Sequence, residues 1–241
     1  MINAALIEGA AGAAALAAGG VIYASIAPTS QIFGRTLIAG QDAREIALTF
    51  DDGPNDAATP QLLDLLARHE VRATFFLIGG FARQRPDLVR AVHAAGHLVG
   101  NHTMTHPKLS VTPAAKVRQE LTECSAVLED ITGDGVEYFR PPFGARRPAV
   151  LRIARELGLT PVMWNVTGFD WEPRGVDAIA ANLNAGIAKN RELRRGSNLL
   201  LHDGGHRAMG ADRMDTVRAA EQLLDAHAGT ATRFVTVDAW G

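Results

Sequence analysis

Arg44-Glu45-Ile46-Ala47-Leu48-Thr49-Phe50-Asp51-Asp52-Gly53-Pro54 decides how this chain is read. It opens as a mostly apolar run, closes on two adjacent carboxylates, and ends in the turn dipeptides Asp-Gly and Gly-Pro. The exit of such a strand is where α/β barrels place chemistry. Side by side, two carboxylates repel and raise one another's pKa unless a cation lies between them or a base is wanted. A divalent metal held by one and a water deprotonated by the other meets both conditions. Taken alone, Thr49 to Pro54 reads equally well as a turn whose aspartate caps the following helix.

Beyond Pro54, short apolar runs alternate with helical patterns, the signature of repeated βα units. Seven strands are predicted near residues 45–50, 72–78, 97–101, 136–140, 160–166, 198–202 and 233–237. Thr59-Pro60 and Thr112-Pro113 each place a cap and a first-turn proline at a helix start. Further helices are predicted over 86–95, 148–157, 176–190 and 211–228, with Gly96, Gly158 and Gly229 as stops. No glycine-rich phosphate fingerprint follows the first strand, so a barrel is preferred to an open dinucleotide-binding sheet. No linker or repeat interrupts the chain after residue 43. The predicted organisation is an apolar helix and linker over 1–43, then one catalytic domain over 44–241.

The 241 residues carry 24 basic and 26 acidic side chains, with no long block of like charge. That excludes the electrostatic footprint of a nucleic-acid binder and favours an uncharged or small partner. Cys124 is the only cysteine, which rules out an intrachain disulfide and a thiolate zinc cluster and leaves a buried structural thiol. Residues 9–27 hold no charge, are dominated by Ala and Gly, and are long enough to cross a hydrocarbon core as a helix. Glu8 and the lack of an early Lys or Arg argue against a cleaved signal. An uncleaved membrane anchor is the expectation, with an Ala-rich helix packed on the domain as the alternative. The corresponding placement is the membrane or the cell envelope or periplasm, with a cytoplasmic one left open.

Polar residues gather where the predicted strands end. His102-Thr103-Met104-Thr105-His106 sets two imidazoles four residues apart, on one side of a helical turn, within reach of one metal. Asp52, His102 and His106 would make a site of two imidazoles and a carboxylate with open positions for water and substrate. The fourth strand runs into Arg140-Pro141-Pro142-Phe143-Gly144, where an arginine fork can hold a carboxylate. The fifth leads to Asp170-Trp171 and the sixth to Leu200-Leu201-His202, so that His202 and Asp170 form a plausible acid–base pair.

Thr-Phe-Asp-Asp-Gly-Pro, His-Thr-x-x-His, Arg-Pro-Pro-x-Gly, Asp-Trp and Leu-x-His, in this order and spacing, resemble the five motifs of the polysaccharide deacetylase family, the NodB homology domain or carbohydrate esterase family 4. The resemblance covers about residues 44 to 241. It implies a distorted (β/α)7 barrel that removes N-acetyl, or sometimes O-acetyl, groups from carbohydrates with one divalent metal, usually zinc, with cobalt or nickel as alternatives. The implied substrate is an acetylated glycan such as peptidoglycan, a chitin-like oligomer or an exopolysaccharide. It further implies Asp52, His102 and His106 as metal ligands and Asp51 as the base that deprotonates the attacking water. Arg140 would orient Asp51, the Phe143 N–H would stabilise the oxyanion, and His202, held by Asp170, would protonate the amine. Trp171 and Leu200 would wall the acetyl pocket. Thr167 stands where many members carry a further acidic residue. The other histidines, His69, His93, His97, His206 and His227, match no motif and are read as structural or surface groups, with His206 close enough to the sixth loop to border the cleft. Two further readings are an O-acetyl esterase or deformylase acting through the same site, and a carbohydrate-binding protein without turnover.

Overall fold

The computed structural model describes residues 19–241; most of the apolar stretch 9–27 lies outside the described residues. Among the described residues no helix is long and apolar enough to cross a membrane. The strands are β1 (Glu45–Gly53), β2 (Thr74–Leu77), β3 (Leu98–Asn101), β4 (Tyr138–Phe139), β5 (Thr160–Pro161), β6 (Val166–Thr167), β7 (Ser197–His202) and β8 (Arg233–Phe234). Between them lie α1 (Ala58–Arg68), α2 (Gly79–Gln84), α3 (Pro86–Ala94), α4 (Ala114–Thr132), α5 (Pro148–Glu156), α6 (Val176–Glu192) and α7 (Met214–His227).

All strand pairs are parallel, in the order β5-β4-β3-β2-β1-β7-β6, with β8 on the start of β1. β5 and β6 occupy opposite edges although only residues 162–165 separate them. Laid flat, strands about 4.8 Å apart would put these edges about 29 Å from one another. The connection spans about 18 Å at most. The sheet therefore has to curl, and it forms the expected distorted barrel, open between those edges. This crossing also corrects the predicted strand 160–166, which divides in two because its middle bridges the gap. Leu37 lies along the open side, bridged to Val162, with its N–H donating to the Pro161 carbonyl.

Strand alternation sorts the side chains into two cores. Ile46, Leu48 and Phe50 of β1 join Phe75, Leu77, Leu199 and Leu201 in the large cluster beneath the helices. Ala47 belongs instead to a smaller cluster inside the barrel with Phe76, Tyr138, Val162 and Val237. Gly100 makes room there, since a Cβ would come within 2.6 Å of the Phe76 ring. Toward the strand ends the inward positions turn polar: Thr49 and Asp51 on β1 and His202 at the end of β7. The barrel is apolar at its base and charged at its mouth.

The helix starts differ from expectation in detail. Asn55 Oδ1, not Thr59, accepts from the first free amides, those of Ala57 and Ala58, at 2.8 and 3.1 Å. Thr59 Oγ1 accepts from Asn55 N and donates to Asp203. Thr112 Oγ1 donates to the Lys108 carbonyl and caps nothing. Helix α2 has no counterpart among the predicted elements. Gly96 and Gly158 do stop their helices with positive φ, whereas the last helix already breaks at the extended Ala228 ahead of the left-handed Gly229. Cys124 is fully buried, and burial pushes its thiol up to about 12.

Candidate active site

Neighbouring residues on a strand point to opposite faces, yet Asp51 and Asp52 both line one cleft. Asp52 adopts φ 71° and the pairing of β1 with β2 shifts register between Asp51 and Gly53. This local bulge breaks the alternation and turns both carboxylates into the mouth. Aspartate tolerates a left-handed backbone better than most residues. Thr103, His106 and Phe143 share the left-handed region, so backbone strain concentrates around the same cleft.

The two histidines reach Asp52 by a different route from the predicted one. Residues 102–106 are not a helical turn but an irregular bend. Left-handed backbone at Thr103 and His106 leaves no room for helical hydrogen bonding. Instead Thr103 Oγ1 accepts from His106 N at 3.0 Å, and the N–H and hydroxyl of Thr105 donate to the buried Glu120 carboxylate. His106 Nε2 and His102 Nε2 lie 3.0 and 3.4 Å from Asp52 Oδ1.

One atom from each of Asp52, His102 and His106 falls within a single 4.8 Å cluster, so the three could hold a metal ion. His102 Nδ1 lies 2.8 Å from the Arg140 carbonyl. A carbonyl only accepts, so Nδ1 carries the hydrogen and Nε2 keeps its lone pair for a metal. Asp52 Oδ1 is buried with no hydrogen-bond partner among the described residues, an orphaned acceptor of the kind a cation satisfies.

Asp51 is tied on the other side. Arg140, wholly buried, donates through Nη1 to Asp51 Oδ1 at 2.8 Å and to Thr49 Oγ1 at 2.6 Å. Its Nη2 reaches the Met163 carbonyl and Asn198 Oδ1, and its guanidinium sits 4.3 Å from the Phe76 ring centroid. Burial lowers the Arg140 pKa and Asp51 opposes that shift.

Across the cleft, Asp170 accepts at Oδ2 from His202 N (2.7 Å) and Thr216 Oγ1 (2.9 Å), while its Oδ1 lies 2.9 Å from His202 Nδ1. Burial disfavours a charged His202, but Asp170 in contact and the more distant Asp52 and Asp51 outweigh it, pushing the ring up to about 9. Burial likewise acts against Asp170, and the His202 ring beside it lowers the carboxyl on balance.

These groups open onto a cleft of about 740 Å³ walled by Phe143, Trp164, Trp171 and Leu200. Trp171 stands edge-on to His202 at 5.4 Å, and Phe143 edge-on to His106 at 4.6 Å. The structure thus brings every sequence-predicted site residue to one mouth. It also adds some. Thr49 and Asn198 hold Arg140, Thr216 holds Asp170, and Arg213 donates to the Gly204 and Asp170 carbonyls. Asp203 is buried, and burial together with Asp52 and Asp51 pushes it up to about 7. His206, which matches no motif but stands close enough to the sixth loop to border the cleft, does line it. Its position four residues past His202, after a double glycine, was the one available signal.

A barrel mouth offering a cation site beside separately tuned base and acid groups marks the hydrolases that activate water against an unreactive carbonyl. Residues 39–162 match the family model described as polysaccharide deacetylase. A chitooligosaccharide deacetylase of Rhizobium leguminosarum bv. trifolii is 45% identical over 167 residues, covering 69% of this chain and 74% of the relative. A peptidoglycan-N-acetylglucosamine deacetylase of Bacillus cereus is 38% identical over 194 residues, covering 80% and 85%. The crystal structure of the Bc1960 peptidoglycan N-acetylglucosamine deacetylase superposes with TM-score 0.75 at 31% identity, covering 84% and 91%. The chain belongs to the polysaccharide deacetylase family, as its motifs implied.

Proposed function

We propose that this chain is a carbohydrate N-deacetylase that hydrolyses the acetamide of N-acetylglucosamine units in a glycan, peptidoglycan or a chitin-like oligomer. The observation that carries the reading is the bulge at Asp52, which separates two adjacent carboxylates into a metal-facing group and an arginine-held group opposite a His–Asp pair. The relatives cited above are named for N-deacetylation, which places an O-acetyl esterase or deformylase behind it.

Asp52, His102 and His106 would hold the metal. Two nitrogen donors and one oxygen donor with an open side suit zinc, and also cobalt or nickel. When bound, the cation lowers the pKa of a water and polarises the acetyl carbonyl. Asp51 is the general base: Arg140 fixes Oδ1 and leaves Oδ2 to take the proton from the attacking water. The Phe143 N–H donates to the carbonyl oxygen as it gains charge. His202, protonated at neutral pH, gives its proton to the departing amine while Asp170 fixes the ring. Trp171 and Leu200 enclose the acetyl methyl.

Residues 9–27 hold the proposed membrane attachment, supported by their uncharged Ala- and Gly-rich composition, with Ser25 and Ala27 at their end tied to Arg146 on the domain, and a cell-envelope location is proposed with it. The deciding experiment measures acetate released from N-acetylglucosamine oligomers and from peptidoglycan, with EDTA and then with zinc, cobalt or nickel restored. Metal-dependent release is expected. Sugar binding with no release under any of these metals overturns the reading in favour of a binding protein.

A further inference from the structure

Metal-ligating histidines are held in orientation by a hydrogen bond from the far ring nitrogen. His102 obeys this rule through the Arg140 carbonyl, whereas His106 does not: its Nδ1 is buried and has no hydrogen-bond partner among the described residues. Packing has to orient that ring instead. Phe143 meets it edge-on, and His206 lies flat against it, with centroids 4.6 Å apart and planes 17° from parallel. Phe143 in turn abuts His206 edge-on at 5.2 Å, so the three rings brace one another. His206 Nδ1 also stands 3.7 Å from Asp52 Oδ2.

The loop that carries His206 is locked onto the ligand it serves. A Cβ at Gly204 would overlap the backbone carbonyl of Asp52, so only glycine lets the chain pass this close. Arg213 Nε then fixes the Gly204 carbonyl at 2.6 Å. The register of His206 is thereby set from the backbone of Asp52 outward.

We propose that His206 is a positioning residue of the metal centre, stacking on His106 in place of the hydrogen bond that ring lacks. It acts through His106, on which its ring lies. The inference rests on the proposed metal site, and the two are separable by experiment. Zinc binding to the metal-free full chain is titrated by calorimetry for the unmodified protein, His206→Ala and His206→Phe, with circular dichroism and melting temperature of the metal-free forms as the folding check. His206→Ala should raise the zinc Kd by about 10- to 100-fold, the range for losing an outer-shell partner. His206→Phe, which keeps the flat ring and loses the nitrogen, should bind within about threefold of the unmodified protein. An unchanged Kd in His206→Ala, or His206→Phe as weak as His206→Ala, overturns the stacking role. Failure of the unmodified protein to bind zinc, cobalt or nickel overturns the metal site itself.

Discussion

Asp52 and Asp170 are both buried carboxylates at the mouth of one barrel, and their surroundings differ in kind. Asp170 has its acceptors filled by a backbone N–H, a hydroxyl and an imidazole. Asp52 leaves Oδ1 without a hydrogen bond among the described residues although two imidazole nitrogens face it. A carboxylate that is fully hydrogen-bonded fixes a neighbour and favours that neighbour's proton. One left bare among nitrogen lone pairs is built for a cation. The same residue type thus serves two tasks, and the number of donors aimed at it tells which.

The comparison is broken most severely at Asp52. Asp52→Ala removes a ligand, so the zinc Kd should rise by at least about 100-fold, beyond the cost of an outer-shell change. The rise in melting temperature on adding zinc, about 2.7 kcal/mol of stabilisation at one hundred times Kd in the unmodified protein, should vanish, as scanning calorimetry would show. Asp51→Asn tests the other half of the bulge. It should keep zinc within about threefold while kcat for acetate release falls by about 10²- to 10⁴-fold, the usual share of a general base. Equal metal affinity in the two variants would undo the division of labour.

On the Asp170 side the expected effects are smaller and depend on pH. His202 is pushed up to about 9 in the folded chain, against about 6.5 when unfolded. Between these values the folded state holds the extra proton, so stability falls as pH rises. The pair's contribution is whole below about pH 6.5 and lost as pH passes through about 9. Asp170→Asn should therefore flatten the decline in melting temperature of the metal-free protein from pH 6.5 to 9. A decline as steep as the unmodified protein's would show that Asp170 does not set the His202 proton. Smallest is Thr216→Val, which removes one hydroxyl donor from Asp170 and should cost about 1 kcal/mol in urea unfolding, with zinc affinity unmoved.

Much of this was legible in the sequence because strand periodicity and motif residues coincide. The run from Glu45 to Asp51 alternates helix-facing and barrel-facing positions, so the inward charge at its end can be read directly. What periodicity cannot show is a break in itself: the left-handed turn at Asp52 that brings two neighbours to one face has no signature beyond the Asp-Gly that follows. Residues 102–106 read from sequence as a helical turn because a spacing of four suits both turn and bend, and only the Thr103 and Thr105 hydrogen bonds separate them. Strand 160–166 looked continuous because the need to cross the open side arises from strand order, a property of the whole sheet. Thr216 and Asn198 act through partners distant in sequence, and nothing local marks them.

Arg146 carries the last consequence. It is almost completely buried, and no carboxylate pairs with it among the described residues; its guanidinium donates to the carbonyls of Ala27, Ser30 and Gly144 at 2.7, 2.9 and 3.0 Å, and its N–H to that of Ser25. Gly144 lines the cleft, so the chain enters the fold at the lip of the catalytic mouth. The other end closes at the opposite pole, where Trp240 Nε1 donates to Glu45 at the foot of β1. Whatever is joined ahead of residue 25 therefore acts as an orienting handle. Tethering the protein to a bead by that end brings the cleft toward the support, whereas tethering it by Gly241 leaves the cleft facing outward.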